Sequence, residues 1–332
     1  MPIRVLHVGL GPIGAAVVRQ VAARKGLKIV GAVDIDPAKI GRDLGEVTGA
    51  GRKIGVKVLA DLKKAIKATK PDVAVLCTSS SLKKVVAQFE DVLKLKVPIV
   101  STTEELAFPT SGNNRWARAI HRAAIKGKAA VLGTGVNPGF TMDALPLALT
   151  AVCERVDAIE IDRVQDARIR RLPFQQKIGA GLTAEQFQAK VEDTSVRHVG
   201  LAESISMIAN GLGWKLDRIT DEIKPKMADT AVSSEFLTVD AGKVCGIVQD
   251  GVGYRNGQPL IKLHMEAYLG APESYDAVRV KGSPNINSKI AGGVHGDVAT
   301  ASMVVNSIPL VLQVKPGLHT MLDMPLPHYF GG

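Results

Sequence analysis

Short apolar runs alternate with helical patterns along the first 135 residues of the chain. The runs are rich in valine and isoleucine, which is typical of strands that a sheet buries on both faces. Between them, apolar residues recur three or four positions apart, as one face of an amphipathic helix requires. Strands that alternate with helices in this way predict parallel βαβ units and a doubly wound sheet. The predicted strands cover residues 3–8, 28–33, 73–78, 98–101 and 129–133.

The pattern changes after about residue 140. Residues 156–164 alternate apolar with polar side chains, which predicts a strand with one exposed face. Two strand-like runs, 244–248 and 260–268, flank a glycine-rich turn at 251–257, and this arrangement predicts an antiparallel hairpin. Helical patterns cover 182–188, 199–212 and 298–312. The last of them is apolar on all sides, so we expect it to be buried against the first domain.

Composition excludes several classes of protein. A chain of 332 residues, 46% of them hydrophobic and 22% charged, is ordered and long enough for two domains. Cys77, Cys153 and Cys245 are too few and too scattered for a disulfide framework, which predicts a reducing, cytoplasmic environment. The longest late uncharged run, residues 298–314, is shorter than the roughly 20 residues that a membrane span needs, so no membrane association is expected.

The excess positive charge is confined to the first half of the chain. Residues 1–150 hold 23 Lys and Arg against 11 Asp and Glu, whereas residues 151–332 hold 19 against 21. Such an excess suits a nucleic-acid partner, a solvated surface or a field that attracts an anionic small molecule. The basic residues are spread over helical segments, and few aromatic rings are available to stack on bases. We therefore expect no nucleic-acid partner and leave the other two interpretations open.

The turn after the first predicted strand is rich in glycine. Residues 9–14 read Gly-Leu-Gly-Pro-Ile-Gly and lead directly into a helical pattern. In a dinucleotide-binding turn the first glycine permits the bend, the second lets the backbone approach a pyrophosphate, and the third lets helix and strand pack. The free N–H groups at the start of the helix then face the phosphates. We expect five residues to bind a cofactor here: Gly9, Gly11, Pro12, Ile13 and Gly14.

Asp34 ends the second predicted strand, about 20 residues after the glycine-rich turn. A carboxylate at this place accepts hydrogen bonds from the adenosine ribose and repels a 2′-phosphate, which favours NAD. Lys39 and Arg42 follow in the next loop, where they either offset that repulsion or are ordinary exposed charges. The sequence therefore favours NAD and leaves NADP open.

The strands and this turn together predict the fold class, which is α/β. An N-terminal Rossmann dinucleotide-binding domain is expected over residues 1–140, and a C-terminal α+β substrate domain with a mixed sheet over residues 141–296. Residues 297–332 are expected to form a C-terminal helix and a tail that return to the first domain.

Polar residues follow three more predicted strands of the first domain. The carboxyl ends of parallel strands form the ligand edge of a doubly wound sheet, so these residues are candidates for the cofactor site. They are Thr78, Ser79, Ser80, Thr102, Asn137 and Pro138. Ser80 or Ser81 has an alternative role as a helix cap. Phe140 is a candidate wall of the substrate pocket or an ordinary core residue.

Glu104 and Glu105 lie at the same edge, where a carboxylate would be near the nicotinamide. Adjacent side chains of an extended segment point in opposite directions, so at most one of the two is expected to face the cofactor. The alternative is that both are solvated or help to start a helix. Further candidates for the substrate pocket lie in the second half of the chain: Arg163, His198, His264 and Thr300. The histidines have no metal-ligand spacing, so no metal is expected.

Five segments together resemble a known family. They are residues 8–14, 33–45, 101–106, 133–140 and 292–326, and they are similar to 2,4-diaminopentanoate dehydrogenases and the related native amine dehydrogenases of the dihydrodipicolinate-reductase-like superfamily. The resemblance implies a homodimer that uses the second domain for dimerisation. It also implies reversible oxidative deamination of a primary amine to a ketone or aldehyde plus ammonia with NAD(P).

The resemblance also assigns residues. It implies that Glu104 is the catalytic carboxylate, and Arg163, His198 and Thr300 match pocket positions, whereas His264 rests only on its place in the predicted hairpin. No paired histidines occur, so the chemistry of a true dihydrodipicolinate reductase is not expected. A dehydrogenase for a diamino acid, whose carboxylate would need a cation such as Arg163 or His198, stays an alternative. A dinucleotide sensor without turnover is a second alternative.

Overall fold

The computed structural model describes residues 1–193, 195–196 and 198–331. The strands are β1 Ile3–Val8, β2 Leu27–Val33, β3 Val58–Leu59, β4 Val73–Leu76, β5 Ile99–Ser101, β6 Ala130–Gly133, β7 Arg155–Asp166, β8 Arg218–Met227, β9 Val232–Ser233, β10 Thr238–Val239, β11 Val244–Arg255, β12 Gln258–Tyr268, β13 Tyr275–Ser283, β14 Ile286–Ala291 and β15 Gly317–His319. The helices are α1 Pro12–Ala23, α2 Leu44–Thr48, α3 Leu62–Thr69, α4 Leu82–Lys94, α5 Glu104–Ala107, α6 Asn114–Gly127, α7 Ala144–Leu149, α8 Leu172–Lys177, α9 Ala184–Glu192, α10 Leu201–Gly211 and α11 Gly296–Val311. Among the described residues, no helix is long and apolar enough to cross a membrane.

The chain forms two compact units. Unit 1 consists of Met1–Phe140 together with His295–Gly332, and unit 2 is the continuous segment Thr141–Val294. The chain therefore crosses between the units twice, after Phe140 and after Val294.

Unit 1 contains a seven-stranded sheet in the order β15-β6-β5-β4-β1-β2-β3, and each neighbouring pair is parallel. The order reverses beside β1, which is the topology of a doubly wound sheet, so the predicted fold class is confirmed. The strands are short and rich in valine because both faces are covered. Leu6 and Val8 pack with Phe89 of α4 and Ile120 of α6 in one apolar cluster.

The end of the chain completes unit 1. Helix α11 packs against α1, and β15 extends the sheet beyond β6. The guanidinium of Arg24, at the end of α1, lies over the rings of Tyr329 and Phe330 and donates hydrogen bonds to Asn306 and to the carbonyl of Phe330. Helix α11 is apolar on most sides because it is enclosed within this unit.

Unit 2 contains a six-stranded sheet in the order β14-β13-β7-β12-β11-β8. Its neighbouring pairs are antiparallel except for β12 with β7, so the predicted mixed sheet is confirmed. Helix α10 covers one face, where Leu201 and Ile205 lie against β11. The other face carries charged side chains and is partly open to solvent.

The hairpin of unit 2 differs from its prediction in length. Strand β11 continues to Arg255 and β12 begins at Gln258, so the turn is only Asn256 and Gly257, both with positive φ. The glycines at 251 and 253 lie within β11, where their missing side chains leave room for Ile205 of α10. The predicted turn at 251–257 was therefore too long, because glycine in a strand marks close packing as well as a turn.

Candidate cofactor and active site

The three glycines of residues 9–14 differ in their backbone angles and in the space around them. Gly9 has a φ of +89°, and a Cβ on it would lie 2.5 Å from the carbonyl oxygen of Cys77. A Cβ on Gly14 would overlap the carbonyl oxygen of Gly9. Gly11 has φ −67° and ψ −179°, which any residue adopts, and a Cβ on it would have no neighbour within 4 Å. Packing within the described protein thus requires Gly9 and Gly14, whereas the space beside Gly11 is open.

The start of α1 is suited to an anion. Gly11 is its N-cap and supplies no side chain, and Pro12 is its first residue. In the first turn of a helix the backbone N–H groups have no intrahelical acceptor, so the amides of Ile13 and Gly14 are available to a phosphate. His7 lies beneath the turn, with Nε2 3.2 Å from the place of a Gly14 Cβ, and burial lowers the pKa of His7 to about 4. A neutral imidazole therefore supports the turn at neutral pH.

Asp34 connects the end of β2 to the glycine-rich turn. Its Oδ2 accepts a hydrogen bond from the amide of Leu10 at 2.6 Å, and its Oδ1 accepts one from the amide of Asp36 at 2.9 Å. Lys39 Nζ lies 3.3 Å from Oδ2. Burial opposes ionisation, but the two amides and the Lys39 ammonium lower the pKa of Asp34 below its ordinary value. The carboxylate is therefore charged and fixed in position.

Hydroxyl groups fasten the loops after β4 and β5 to each other. Ser101 donates to the carbonyl of Leu76, and Thr103 Oγ1 donates to the carbonyl of Ser79 at 2.8 Å. Thr78 donates to Gln88, and the Ser79 hydroxyl accepts from the amide of Ser81. Desolvation raises the pKa of Cys77 to about 12, so its thiol is not a nucleophile. Thr78, Ser79, Ser80 and Thr102 thus lie together at the expected edge of the sheet.

Glu104 and Glu105 begin a short helix, α5, and have different surroundings. Glu105 Oε2 accepts a hydrogen bond from the amide of Leu82, the first residue of α4, at 2.7 Å. The carboxylate of Glu104 is half-buried and has no hydrogen bond or ion pair within the described ranges. The segment is helical and not extended as predicted, so the two side chains do not differ because they alternate along a strand. They differ because the amide of Leu82 binds Glu105 and not Glu104. It is also Glu105, not Ser80 or Ser81, whose side chain caps α4.

The turn after β6 contacts Thr300 of α11 at the carboxyl edge of the sheet. The amide of Val136 donates to Thr300 Oγ1 of α11 at 3.2 Å. Asn137, which precedes Pro138 in a cis peptide bond, is buried, and Phe140 is half-buried. A Cβ on Gly139 would run into the amide nitrogen of Gly135, so the turn is compact. Thr300 therefore supports this turn within unit 1.

Arg163 lies in the covered face of the unit 2 sheet and is only 2% exposed. Its guanidinium pairs with Asp276 of β13 at 2.5 Å and donates to Thr141 Oγ1 and to the carbonyl of Val294. Asp276 also accepts a hydrogen bond from the amide of Val294. The pair thus fastens Thr141 and Val294, the first and last residues of unit 2. Sequence reasoning missed Asp276, because β13 itself was not predicted.

His198 and His264 have different positions in unit 2. The backbone N–H and C=O of His198 are both hydrogen-bonded by the side chain of Gln249. His264 lies on the open face of the sheet, between Asp250 at 2.7 Å and Glu266 at 3.1 Å. Burial disfavours its charged form, but these two carboxylates outweigh burial and raise the pKa of His264 above its ordinary value.

His264 and Arg163 do not line one pocket. Side chains alternate along a strand, and β12 places His264 on the face opposite to its inward residues, whereas Arg163 is inward on the adjacent β7. His264 borders a separate cavity of about 230 Å³ among charged residues, including Asp162 and Arg279. Arg163 and His264 therefore lie on opposite faces of this sheet, and a substrate role for either of them stays a prediction. Within the described part of the chain, no group of three or more His, Cys, Asp and Glu side chains is placed to hold a metal ion.

Comparison with known proteins adds independent findings. Residues 140–332 match the family profile described as 2,4-diaminopentanoate dehydrogenase C-terminal domain, and residues 3–107 match the one described as dihydrodipicolinate reductase, N-terminus. The chain is 33% identical to a 2,4-diaminopentanoate dehydrogenase from Acetoanaerobium sticklandii, over 99% of this chain and 95% of that protein.

Two more distant relatives share the same full-length match. An amine dehydrogenase from Streptomyces virginiae is 24% identical over 96% of this chain and 95% of its own length. The solved structure of an amine dehydrogenase from Mycobacterium smegmatis has a TM-score of 0.88 at 24% identity, over 99% of this chain and 98% of that one. This last likeness shows that the fold is shared.

Proposed function

Because this chain belongs to the 2,4-diaminopentanoate dehydrogenase family, we propose that it is an NAD(P)-dependent amine dehydrogenase. It would interconvert a primary amine with a ketone or aldehyde plus ammonia. The observation that carries the proposal is the carboxylate of Glu104. It lies at the carboxyl edge of the cofactor-binding sheet, and no side chain or amide in the described ranges binds it.

The residues of unit 1 fit a nicotinamide dinucleotide. The open space above Gly11 and the free amides at the start of α1 would hold the pyrophosphate, and Asp34 would accept the ribose hydroxyls. Ile35 follows Asp34 and is 89% exposed, which offers an apolar surface to the adenine ring. When bound, the nicotinamide supplies the hydride transfer of the reaction. NAD is the expected cofactor because Asp34 is charged, and NADP is considered below.

Glu104 would supply acid–base chemistry and electrostatic stabilisation. Conversion of a ketone and ammonia to an amine passes through a carbinolamine and a cationic iminium. A carboxylate beside the iminium stabilises its positive charge, and it accepts the proton that ammonium loses before the nitrogen attacks the carbonyl. One positioned acid–base group typically contributes about 10²–10⁴-fold to a rate. The buried hydroxyls of Ser101 and Thr103 hold the start of α5, and thereby Glu104, in place.

A diamino acid is the second candidate substrate class, favoured by the name of the relative that is 33% identical. Its carboxylate would need a cation, and Arg163 and His198 stay the candidates. The charge of Arg163 is already balanced by Asp276, so an anionic substrate would have to share that guanidinium. A neutral ketone or aldehyde makes no such demand. Asn137, Pro138, Phe140 and Thr300 remain proposed neighbours of the nicotinamide and substrate.

Assembly and location are proposed on family grounds. A homodimer through the substrate domain is expected, and the charged open face of its sheet is available for it. A cytoplasmic location agrees with three free cysteines among the described residues.

A screen without any variant tests the activity. NADH and NADPH oxidation should be followed with ammonia and a panel of ketones, aldehydes and keto acids, and NAD(P) reduction with the corresponding amines. We expect turnover that needs both ammonia and the carbonyl compound. Tight NADH binding with no turnover on any member would support the sensor and overturn the enzyme. Turnover restricted to keto acids would favour the diamino acid dehydrogenase.

A further inference from the structure

The loop after β2 holds three charged groups in contact. Lys39 Nζ lies 3.3 Å from Asp34 Oδ2 and 3.4 Å from Asp36 Oδ2. The loop is internally fixed, because Asp34 Oδ1 accepts from the amide of Asp36, and Asp36 Oδ1 accepts from the amide of Ala38. The ammonium of Lys39 is thus shared between two carboxylates at the place where the adenosine ribose is proposed to bind.

The three groups differ in their freedom to respond to a ligand. Asp34 is 9% exposed and is held by two backbone amides, so its charge stays in place. The Lys39 side chain is 26% exposed, and its ammonium, which has three N–H donors, donates one hydrogen bond to Asp34 and lies at ion-pair distance from Asp36. Arg42 is exposed, and among the described residues its guanidinium has only a 3.5 Å contact, to the carbonyl of Ala38. Lys39 is therefore the cation that is already positioned beside Asp34.

The net charge of this group shows how Lys39 would affect a bound 2′-phosphate. The net charge of Asp34, Asp36 and Lys39 is −1, and it would be −2 without the Lys39 ammonium. A 2′-phosphate adds a charge of about −1.5 to −2 at pH 7. Beside Asp34 alone, that phosphate would meet only repulsion. With Lys39 it meets a donor and a positive charge within the same small region, and a ribose hydroxyl still has Asp34 as acceptor.

We propose that Lys39 determines cofactor specificity by admitting the 2′-phosphate of NADPH beside Asp34, so that this chain binds both NADH and NADPH. The inference rests on the proposed function and extends it. On this proposal, a fixed, charged aspartate at the end of β2 does not restrict the chain to NAD. Removal of the ammonium should therefore act on NADPH and leave NADH almost unchanged.

The test measures binding rather than turnover. The dissociation constants of NADH and NADPH should be measured from dinucleotide fluorescence for the wild type, Lys39→Ala, Lys39→Arg and Lys53→Ala. Lys53 is the matched control, because it is 81% exposed, pairs with Glu46 at 3.9 Å and changes the net charge of unit 1 by the same amount. Thermal unfolding of each variant checks that the fold is intact.

We expect Lys39→Ala to weaken NADPH at least tenfold and NADH less than threefold. Lys39→Arg should keep NADPH within about threefold of wild type, and Lys53→Ala should change neither by more than that. Asp34→Asn, which keeps an acceptor for the Leu10 amide, should weaken NADH and strengthen NADPH.

Other outcomes would overturn the proposal in distinguishable ways. Equal weakening of both dinucleotides by Lys39→Ala would make Lys39 a general support of the loop. An equal effect of Lys53→Ala would make bulk charge the cause, and a wild type that binds NADH alone would leave Lys39 without this role. If the wild type binds neither dinucleotide, the proposed function fails and this inference fails with it.

Discussion

Glu104 and Glu105 have the same side chain but different contacts. Glu105 receives the first amide of α4, as a capping residue does, so its carboxylate stabilises the backbone of unit 1. Glu104 lies one residue earlier and has no such contact in the described ranges. A half-buried carboxylate at the carboxyl edge of the sheet, with no partner among the described residues, suits the proposed catalytic role.

Substitution of each glutamate separates the two roles. Glu104→Gln keeps the shape but removes the proton acceptor and the negative charge, so kcat should fall about 10²-fold or more while NADH affinity stays within threefold. Glu105→Gln keeps an acceptor for the Leu82 amide, so kcat should fall less than about tenfold. Steady-state amine oxidation and reductive amination at saturating cofactor measure both. Loss of activity in Glu105→Gln alone would place the catalytic carboxylate one residue later.

Gly11 gives a test of the cofactor site itself. Gly11→Val should fold, because the backbone angles suit any residue and no described atom lies within 4 Å of the new Cβ. The branched side chain would instead occupy the space proposed for the pyrophosphate, so NADH affinity should fall at least a hundredfold. Fluorescence titration gives the affinity, and a melting temperature within a few degrees of wild type shows that folding is unaffected. Unchanged affinity would mean that the phosphates bind elsewhere.

The sequence predicts the roles of residues whose contacts are local, and it does not predict contacts between residues that are far apart in the chain. The glycine-rich turn and Asp34 are local in sequence, so their spacing predicts their geometry. The capping contact of Glu105 joins residues 23 positions apart and exists only once α4 and α5 have met. The same is true of Asp276, whose partner Arg163 lies 113 residues away in the sequence.

At the scale of elements, burial on both faces made strands easy to predict. β1, β2, β4, β5 and β6 are almost continuous runs of apolar residues, and their boundaries were predicted within two residues. β8 and β14 were missed because half of their residues are exposed, none is fully buried, and polar side chains interrupt the apolar ones. β13 was missed because Asp276 takes an inward place that the apolar alternation would give to an apolar residue. β15 has only three residues, too few for any period to show.

Two arginine–aspartate pairs join β7 and β13 on opposite faces of the same sheet. Arg163 with Asp276 lies on the covered face, at 2% and 4% exposure. Asp162 with Arg279 lies on the open face, and Arg279 also contacts Glu160. The strands and residue types are the same, so burial is the main difference between the two pairs.

Removal of one aspartate charge should therefore cost different amounts. Asp276→Asn leaves the guanidinium of Arg163 buried without its counter-ion and should lower the free energy of unfolding by about 3–5 kcal/mol. Asp162→Asn should lower it by no more than about 1 kcal/mol, because water and Glu160 still solvate Arg279. Urea titrations followed by the fluorescence of Trp214, in a Trp116→Phe background, report on unit 2. Equal losses would show that burial does not set the strength of these pairs.

At the scale of the whole molecule, each unit contains a histidine with a shifted pKa, and the two shifts have opposite sign. In unit 1, burial lowers the pKa of His7 to about 4. In unit 2, contacts with Asp250 and Glu266 outweigh burial and raise the pKa of His264. Histidine is the side chain that titrates between about pH 5 and 8, so these two groups should dominate the response of each unit in that range.

The opposite pKa shifts of His7 and His264 predict that the stabilities of the two units change with pH in opposite directions. His7 binds a proton more readily in the unfolded chain, so unit 1 should lose about 1 kcal/mol of stability as the pH falls from 7.5 to 5.5. His264 binds a proton more readily in the folded chain, so its stabilisation is present at low pH and is lost as the pH rises through its raised pKa. Urea titrations with Trp116 or Trp214 as the single tryptophan follow each unit. The slopes should disappear in His7→Leu and His264→Gln, and a slope that persists in either variant would assign it to another group.

Unit 1 is made of two chain segments, and unit 2 lies between them in the sequence. On the ribosome, unit 2 is therefore complete when Val294 has been made, while unit 1 still lacks α11 and β15. Domains usually fold in the order of their synthesis. Here the order is reversed: the nascent first segment has its glycine-rich turn but lacks the helix that packs against α1. The proposed cofactor site is thus expected to mature only after α11 and β15 have been translated, later than unit 2.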